Sequence, residues 1–182
     1  MTNPHDIDTP SPWVARWSPL VSEGGQVLDV ACGSGRHARH FASRGRRVVA
    51  IDRDAEALAR LAGTPGIETR VVDLEADAWP FDPASFDAVV VVNYLHRPLF
   101  PHLMAALRPG GVLIYETFMI GNERFGRPSN PDFLLAPAEL LVRTARELTP
   151  VAFEQGLISV PKAAAIQRLC AARAAPETVF LT

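Results

Sequence analysis

Short apolar runs alternate with segments of helical character between residues 26 and 118. The apolar runs are VLDVA at 27–31, VVAID at 48–52, IETRVVD at 67–73, FDAVVVVN at 86–93 and VLIYETF at 112–118, and helices are expected at 36–44, 54–62 and 99–107. This order predicts a parallel sheet with right-handed crossover connections. Within the run at 86–93, residues 88–92 are continuously apolar and bounded by polar residues, which is typical of a central strand buried on both faces.

Both ends of the chain depart from this alternation. Residues 1–25 form a predicted N-terminal extension, with a short amphipathic helix from Trp13 to Val21 outside the sheet. Residues 119–137 are rich in Gly, Pro and Asn, which predicts a functional loop or a partly ordered lid. A helix at 138–146 and a strand at 151–160 follow. In the segment 163–172 the alanines favour a helix, whereas the alternation of side chains favours a strand.

Composition limits the class of protein. A chain of 182 residues that is 48% hydrophobic suits one domain, here residues 26–182, with one core. Its net charge of -2 gives no global positive field, so nucleic acid is an unfavoured partner. Cys32 and Cys170 stand in no metal-binding pattern, so we expect no metal site, no disulfide scaffold and a cytoplasmic location. No signal peptide or membrane span is evident, and a soluble monomer or homodimer is expected.

The sequence VLDVACGSG at 27–35 carries the strongest indication of a ligand. A strand leads into a turn with Gly33 and Gly35 and then into a helix. Glycine in such a turn lets backbone N–H groups and a helix N-terminus approach a bound molecule. Asp52 ends the second strand, where a carboxylate can accept hydrogen bonds from both hydroxyls of a ribose. These features together predict a cofactor that contains adenosine.

Asp29 discriminates between two cofactors that suit this turn. Gly33, Gly35 and Ala38 also satisfy the GxGxxA form of the dinucleotide fingerprint, which leaves a nicotinamide-dependent oxidoreductase as an alternative. An anion at Asp29 would face the phosphates of a dinucleotide unfavourably but could bind the amino group of a methionine moiety. S-adenosylmethionine is therefore the favoured cofactor.

Further strand ends bring polar side chains to the same edge of the predicted sheet. Asp73 ends the third strand, in a position to accept from an adenine amino group while Leu74 packs on the ring. Carboxyl ends of parallel strands line one edge of a doubly wound sheet. Asp29, Asp52, Asp73 and Asn93 are therefore expected to converge.

On these motifs the chain resembles class I S-adenosylmethionine-dependent methyltransferases over about residues 26–172. The resemblance rests on VLDVACGSG, on Asp52, on VVDLE at 71–75, and on FDAVVVVNYLH and LRPGGVLIYE as the family's fourth and fifth strands. Within the family, the size and the stretch VNYLHRPLF are most similar to small bacterial tellurite-resistance-type methyltransferases.

The resemblance implies an α/β fold: a doubly wound, Rossmann-like, seven-stranded sheet, mostly parallel with an antiparallel last strand, and helices on both faces. It also favours a strand at 163–172 and places Asn93 and Tyr94 beside the methionine part of the cofactor. The expected cofactor-binding residues are Asp29, Ala31, Cys32, Gly33, Gly35, Asp52, Arg53, Asp73, Leu74 and Asn93.

Several side chains are candidates for the chemistry at the acceptor. His96 follows the fourth strand, where a neutral imidazole could act as a general base, with Glu116 and Tyr94 as further candidates. Packing or capping is the alternative role for each of them. Methyl transfer needs no strong base when the acceptor ionises by itself, because alignment of the reactants alone accelerates the reaction greatly.

The acceptor class is constrained by motifs that the chain lacks. The fourth strand is followed by NYLH rather than by the NPPY or DPPY of amino-group methylation, and no basic RNA-binding domain is appended. A small-molecule acceptor is therefore expected. An RNA or protein methyltransferase and a catalytically silent cofactor-binding module remain alternatives.

Other conspicuous side chains are interpreted as structural. Cys32 is expected to be a small packed residue without chemistry. His37 and His40 are expected on a solvated helix face, and Trp13 and Trp17 are expected in core packing rather than in a lid over the cofactor.

Overall fold

The computed structural model describes residues 9–175 and residue 178, and in this part of the chain a single seven-stranded sheet organises the fold. The strands are β1 (Gln26–Val30), β2 (Arg47–Asp52), β3 (Ile67–Val71), β4 (Phe86–Val92), β5 (Leu107–Phe118), β6 (Thr149–Ile158) and β7 (Ala164–Ala172). Their order is β3-β2-β1-β4-β5-β7-β6. Strands β1 to β5 pair in parallel, and β7 pairs antiparallel with both β5 and β6. The predicted fold class is confirmed.

Five short helices connect or flank the strands in the described residues. They are α1 (Pro12–Trp17), α2 (Arg36–Ala42), α3 (Ala55–Ala59), α4 (Phe100–Ala106) and α5 (Glu139–Thr144), and 3-10 segments occur at Ser18–Leu20, Arg97–Leu99, Asn122–Arg124 and Pro131–Phe133. Capping fixes where two of them begin. The Ser11 side chain accepts from the backbone N–H of Trp13, and the Asp54 side chain accepts from two N–H groups in the first turn of α3. Within residues 9–175, no helix is long and apolar enough to cross a membrane.

The apolar core lies on both faces of the sheet, as doubly wound folds require. Alternate residues of β4 show this directly: Val89 and Val91 belong to one cluster, with α4 and α5, and Val90 belongs to the other, with α1 and α2. The prediction that this strand is central and buried on both faces is confirmed. Trp13 and Trp17 lie in the second cluster, so their predicted role in core packing is confirmed as well.

The last strand resolves the ambiguity of residues 163–172. Ala164–Ala172 forms β7 and pairs along its length with β5 on one side and β6 on the other. Most of its side chains are buried. The strand prediction is confirmed, because two long ladders of backbone hydrogen bonds outweigh the helix propensity of the alanines.

The prediction that His37 and His40 lie on a solvated helix face was wrong. Their exposed fractions are only 4% and 7%, because residues 11–18 cover this side of α2. His37 Nε2 accepts from the backbone N–H of Ser11 at 3.2 Å, and His40 Nε2 lies 3.0 Å from Ser18 Oγ. Burial lowers the pKa of His37 to about 3 and that of His40 to about 4, so both rings are neutral at pH 7.

Candidate functional site

A cavity of about 360 Å³ opens at the carboxyl edge of the parallel strands. This volume lies in the range of small-molecule and cofactor sites, and the position is the one where doubly wound sheets bind ligands. The lining residues are Ala31, Asp52, Arg53, Val72, Asp73, Leu74, Glu75, Asn93, Tyr94, Leu95, Thr117, Phe118, Pro128 and Phe133. Acidic side chains thus lie near the ends of β2 and β3, and apolar ones near the ends of β4 and β5.

Most of the predicted cofactor residues lie on this cavity. Ala31, Asp52, Arg53, Asp73, Leu74 and Asn93 line it, whereas Asp29, Cys32, Gly33 and Gly35 lie in β1 and the following turn and do not. The four strand ends therefore meet at one edge of the sheet. That these side chains bind the cofactor stays a prediction.

The Asp52 carboxylate is oriented by two backbone N–H groups. Its Oδ2 accepts from Gly33 at 2.8 Å, and its Oδ1 accepts from Asp54 at 2.9 Å. Each carboxylate oxygen has a further lone pair, so Asp52 can still accept two hydroxyl hydrogen bonds. A fixed anion of this kind at the end of β2 is suited to the 2' and 3' hydroxyls of a ribose.

The glycine turn offers fewer N–H groups than its sequence suggested. The N–H groups of Cys32, Gly33 and Gly35 donate to Ile51 O, Asp52 Oδ2 and Cys32 O at 3.0, 2.8 and 2.9 Å. The expectation that these donors point at a ligand is therefore wrong for these three residues. What the turn provides is space, because a side chain added at Gly33 would meet no atom within 4 Å.

The two glycines of the turn are expected to differ in their response to alanine. Gly35 has a φ of +79°, and a Cβ there would collide with the side chain of Leu61. Gly33, at +54°, faces open space. Gly35→Ala should therefore lower the free energy of unfolding by roughly 2 to 4 kcal/mol, the sum of backbone strain and overpacking.

Gly33→Ala is the matched control, because it carries only the backbone strain of roughly 1 to 2 kcal/mol. Urea unfolding of both variants measures the difference. Equal losses in the two variants would contradict the close packing of Gly35 against Leu61.

The Asp29 carboxylate is buried and has one oxygen without a hydrogen-bond donor. It is 1% exposed, and its Oδ2 has no hydrogen-bond partner. Burial raises its pKa to about 7, although the backbone N–H of Ala38 and the Arg36 cation act in the opposite direction. A buried carboxylate oxygen without a donor is costly. The amino group of a methionine moiety would supply that donor, so this residue fits S-adenosylmethionine.

Cys32 has no sign of nucleophilic reactivity. Its thiol is buried and donates to Gly33 O at 3.6 Å. Burial raises the pKa of the thiol far above its usual range, and the neighbouring Asp29 and Asp52 add to the shift. The thiol therefore stays protonated.

Asp73 and Leu74 occupy the end of β3 as a polar and an apolar pair. The Oδ1 atom of Asp73 accepts from the backbone N–H of Glu75 at 3.0 Å, which orients the carboxylate and leaves its Oδ2 for a ligand. Leu74 is buried at the cavity wall. The two side chains suit an adenine, which offers an amino donor at its edge and an apolar face.

Sequence reasoning missed part of the cavity wall. Thr117, Phe118, Pro128 and Phe133 all line the cavity. The Gly- and Pro-rich composition of 119–137 pointed to a functional loop, but no pattern in it distinguished Pro128 and Phe133 from their neighbours.

The backbone is strained at two points of the cavity. Ala31 and Asn93 have φ values of +52° and +59°, in the left-handed region. Such strain costs on the order of 1 to 3 kcal/mol and clusters at functional sites. Asparagine is enriched in the left-handed region, so the residue type at Asn93 is consistent with a positive φ. Alanine is not, so no indication of the positive φ at Ala31 was present in the sequence.

The three candidate bases differ in their surroundings. Glu116 accepts from Ser11 Oγ at 2.8 Å and lies 3.4 Å from Arg168, so its carboxylate is already engaged. Burial raises the pKa of Tyr94 to about 12, with Glu75 and Asp73 contributing, so its phenol is neutral at pH 7. His96 is half-buried just before the 3-10 segment at 97–99 and does not line the cavity. Its role as a base stays a prediction.

Metal-binding side chains do not cluster in the part of the chain that the structure describes. No group of three or more His, Cys, Asp or Glu residues there is placed to hold a metal ion.

Sequence comparison points to one class of enzyme. A family model described as "Methyltransferase domain" matches residues 27–111. The chain is 37% identical over 116 residues to the ubiquinone biosynthesis O-methyltransferase of Paracidovorax citrulli, which covers 58% of this chain and 48% of that protein. It is 33% identical over 171 residues to the tRNA U34 carboxymethyltransferase of Shewanella denitrificans, with 77% and 50% covered. The chain thus spans about half the length of the curated relatives it matches.

Solved structures share the fold at low sequence identity. TehB from Haemophilus influenzae has a TM-score of 0.76 at 17% identity, over 90% of this chain and 62% of that chain. A SAM-dependent methyltransferase from Methanosarcina mazei has a TM-score of 0.70 at 18% identity, over 91% and 99%. The matched family model and the shared fold agree: residues 27–111 carry a methyltransferase domain on the fold of class I S-adenosylmethionine-dependent enzymes.

Proposed function

We propose that this protein transfers the methyl group of S-adenosylmethionine to a small-molecule acceptor by in-line displacement. The observation that carries the proposal is one continuous cavity with two chemically different sides. Asp52 and Asp73, at or just after the ends of β2 and β3, lie on one side, and Phe118 in β5 and Phe133 in the loop beyond it lie on the other. When bound, the cofactor supplies an electrophilic methyl group on a sulfonium.

The acidic side of the cavity would hold the cofactor. Asp52 would accept from the ribose hydroxyls, and Asp73 would accept from the adenine amino group while Leu74 covers the ring. Asp29 would bind the amino group of the methionine part through its unpartnered Oδ2. These contacts would fix the direction in which the methyl group faces.

The apolar side of the cavity would position the acceptor. Its side chains would restrict the acceptor's orientation, and alignment of two reactants can supply effective molarities of about 10⁵ M or more. Such a compartment suits a small molecule better than a phosphate backbone.

The arginines of the stretch 36–47 also favour a small molecule. Arg36, Arg44, Arg46 and Arg47 each donate to backbone carbonyls of their own chain. Their positions are therefore explained by the fold itself rather than by a surface for nucleic acid.

We also propose a cytoplasmic location, where the buried thiols Cys32 and Cys170 would stay reduced.

His96 is proposed as the general base for an acceptor that must lose a proton. General base catalysis contributes about 10²- to 10⁴-fold, so His96→Ala should lower kcat by a factor in that range. Turnover that stays unchanged in the variant would refute this role.

The acceptor class is tested by transfer of a radiolabelled methyl group. Purified protein is incubated with labelled S-adenosylmethionine and either a library of small hydroxyl, thiol and amine compounds or total bacterial tRNA. Label in a small molecule, lost in Asp52→Ala, supports the proposal. Label in tRNA alone would contradict it and favour a tRNA acceptor, and no transfer to any acceptor would favour a cofactor-binding module.

A further inference from the structure

We propose that the acceptor has a flat aromatic body that stacks in the apolar side of the cavity, and that Arg97 is the positioning residue that sets Phe133 as one wall of this compartment. The inference rests on the proposed function and names the class of its substrate. Four observations support it, and they concern the exposure of Phe133, the chemistry of the wall, the contacts of Arg97 and the anchoring of Glu139.

Phe133 is an aromatic side chain that the fold leaves uncovered at the cavity. It ends the 3-10 segment Pro131–Phe133, and 48% of its surface is exposed. The folded chain thus leaves much of the ring's apolar surface in water, at a loss of stabilisation proportional to the area. A ligand ring stacked against Phe133 would recover that loss, and aromatic pairs gain a further contribution from their geometry.

The uncharged part of the cavity wall is held in place. Leu95, Phe118 and Pro128 line the cavity together with Phe133, and the polar but uncharged Thr117 and Tyr94 line it as well. None of these side chains is charged at neutral pH, because the phenol of Tyr94 stays protonated. The buried Tyr115 hydroxyl donates to Tyr94 O at 2.9 Å and fixes the main chain there. Two aromatic rings besides Phe133 therefore border a compartment with a stable shape.

Arg97 binds the backbone on both sides of Phe133. Its Nη1 donates to Asp132 O at 2.6 Å, and its Nη2 donates to Leu134 O at 2.9 Å. The residues before and after Phe133 are thus bound to the same guanidinium. Arg97 itself begins the 3-10 segment Arg97–Leu99, which follows β4. This arrangement fixes where the Phe133 ring enters the cavity.

Glu139 holds the guanidinium in that position. Its two carboxylate oxygens accept from Arg97 Nε at 2.8 Å and from Arg97 Nη2 at 3.0 Å, which is a bidentate pair. Glu139 also accepts from Arg143 Nε at 2.6 Å and from the backbone N–H of Ala136 at 2.8 Å. Burial would raise the pKa of this carboxyl, but these donors lower it to about 2, so Glu139 is ionised throughout the neutral range.

The planar fork of an arginine is needed for this set of contacts. A lysine carries the same charge but presents a single ammonium, which cannot bind Glu139 and two separate carbonyls with the same geometry. Arg97→Lys therefore tests positioning while it preserves charge. Arg143→Lys is the matched control, because Arg143 contacts Glu139 but neither carbonyl beside Phe133.

The experiment is a calorimetric titration in saturating S-adenosylhomocysteine. The probes are naphthalene-2,3-diol and decalin-2,3-diol, which carry the same two hydroxyls on a flat aromatic and on a puckered saturated ring system. We expect the aromatic diol to bind at least tenfold more tightly. Phe133→Ala and Arg97→Lys should each weaken binding of the aromatic diol about tenfold. Arg143→Lys should change that binding less than twofold. All three variants should bind S-adenosylhomocysteine within twofold of wild type.

The double variant separates positioning from a general structural effect. If Arg97 acts through Phe133, the double variant of Phe133→Ala and Arg97→Lys should bind the aromatic diol no more weakly than the weaker single variant. Losses that simply multiply would overturn the positioning role.

The substrate class can fail independently of the function. Equal binding of the two diols, or binding of neither by protein that still binds S-adenosylhomocysteine, would overturn the aromatic class. Protein that binds no S-adenosylhomocysteine at all would overturn the proposed function, and the inference with it.

Discussion

Asp52→Ala is expected to weaken the binding of S-adenosylhomocysteine by about 100-fold. The variant loses a carboxylate that would accept two ribose hydroxyls, and a hydrogen bond to a charged group contributes about 1.5 to 3 kcal/mol. It also releases the N–H of Gly33, which Asp52 now holds at 2.8 Å, so the glycine turn loses its anchor to β2. Isothermal titration calorimetry on wild type and variant gives the affinity ratio.

Asp54→Ala is the control for the Asp52 experiment. Asp54 is two residues away and carries the same charge, but its carboxylate caps α3 through the N–H groups of Glu56 and Ala57. Loss of the cap should cost about 1 kcal/mol of stability and leave the cofactor affinity within twofold. Equal affinities in wild type and Asp52→Ala would show that the ribose lies elsewhere.

Asp29→Asn is expected to remove recognition of the amino group while it stabilises the protein without ligand. The wild-type carboxylate is buried, and its Oδ2 has no partner. S-adenosylhomocysteine should bind the variant at least 30-fold more weakly, since a charge-assisted hydrogen bond is lost. 5'-Methylthioadenosine, which lacks the amino acid part, should bind wild type and Asp29→Asn equally but should bind Asp52→Ala more weakly.

The pKa of Asp29 gives this prediction a pH dependence. Binding of an ammonium group requires the ionised carboxylate, so the affinity of wild type for S-adenosylhomocysteine should rise between pH 6 and pH 8 and then level off, in line with a pKa of about 7. The affinity of Asp29→Asn should show no such rise. A pH-independent wild-type affinity would contradict the assignment of Asp29 to the amino group.

The stability of the ligand-free protein should change in the opposite direction. Between the unfolded pKa of 3.8 and the folded pKa of about 7, the folded chain holds a proton that the unfolded chain has released. Unfolding therefore becomes easier as the pH rises through this window and is constant above it. Asp29→Asn has no buried carboxylate to ionise. At pH 8 the free energy of unfolding of this variant should therefore exceed that of wild type by roughly 2 to 4 kcal/mol. Urea unfolding at pH 5 and pH 8 tests the sign.

Much of the fold could be predicted because its signals are local. The valines of β4 are apolar on successive residues, which is typical of a strand buried on both faces, and the glycines after β1 mark the turn that follows it. The resemblance to methyltransferases then settled residues 163–172 as a strand, where local propensity left two alternatives. In the structure β7 lies between β5 and β6, and this position depends on partners far away in the sequence.

The acidic side of the cavity was predictable for a related reason. Each acid follows or ends a strand, and parallel strands present their carboxyl ends at the same edge of the sheet. The positions of Asp52 and Asp73 in the strand pattern were therefore enough to bring them together. That the Oδ2 atom of Asp29 has no hydrogen-bond partner was not predictable, because this depends on which donors approach the carboxylate in three dimensions.

The sequence by itself determined the alternation of strands and helices, the edge at which Asp52, Asp73 and Asn93 meet, and the class of cofactor. Only the tertiary structure decided the burial of His37 beneath residues 11–18 and the contacts of Arg97 with the backbone on both sides of Phe133. The physical reason is the range of the interactions. Strand patterns and glycine turns are set by neighbours in the chain, whereas these contacts join residues 26 to 37 positions apart, which no local pattern encodes.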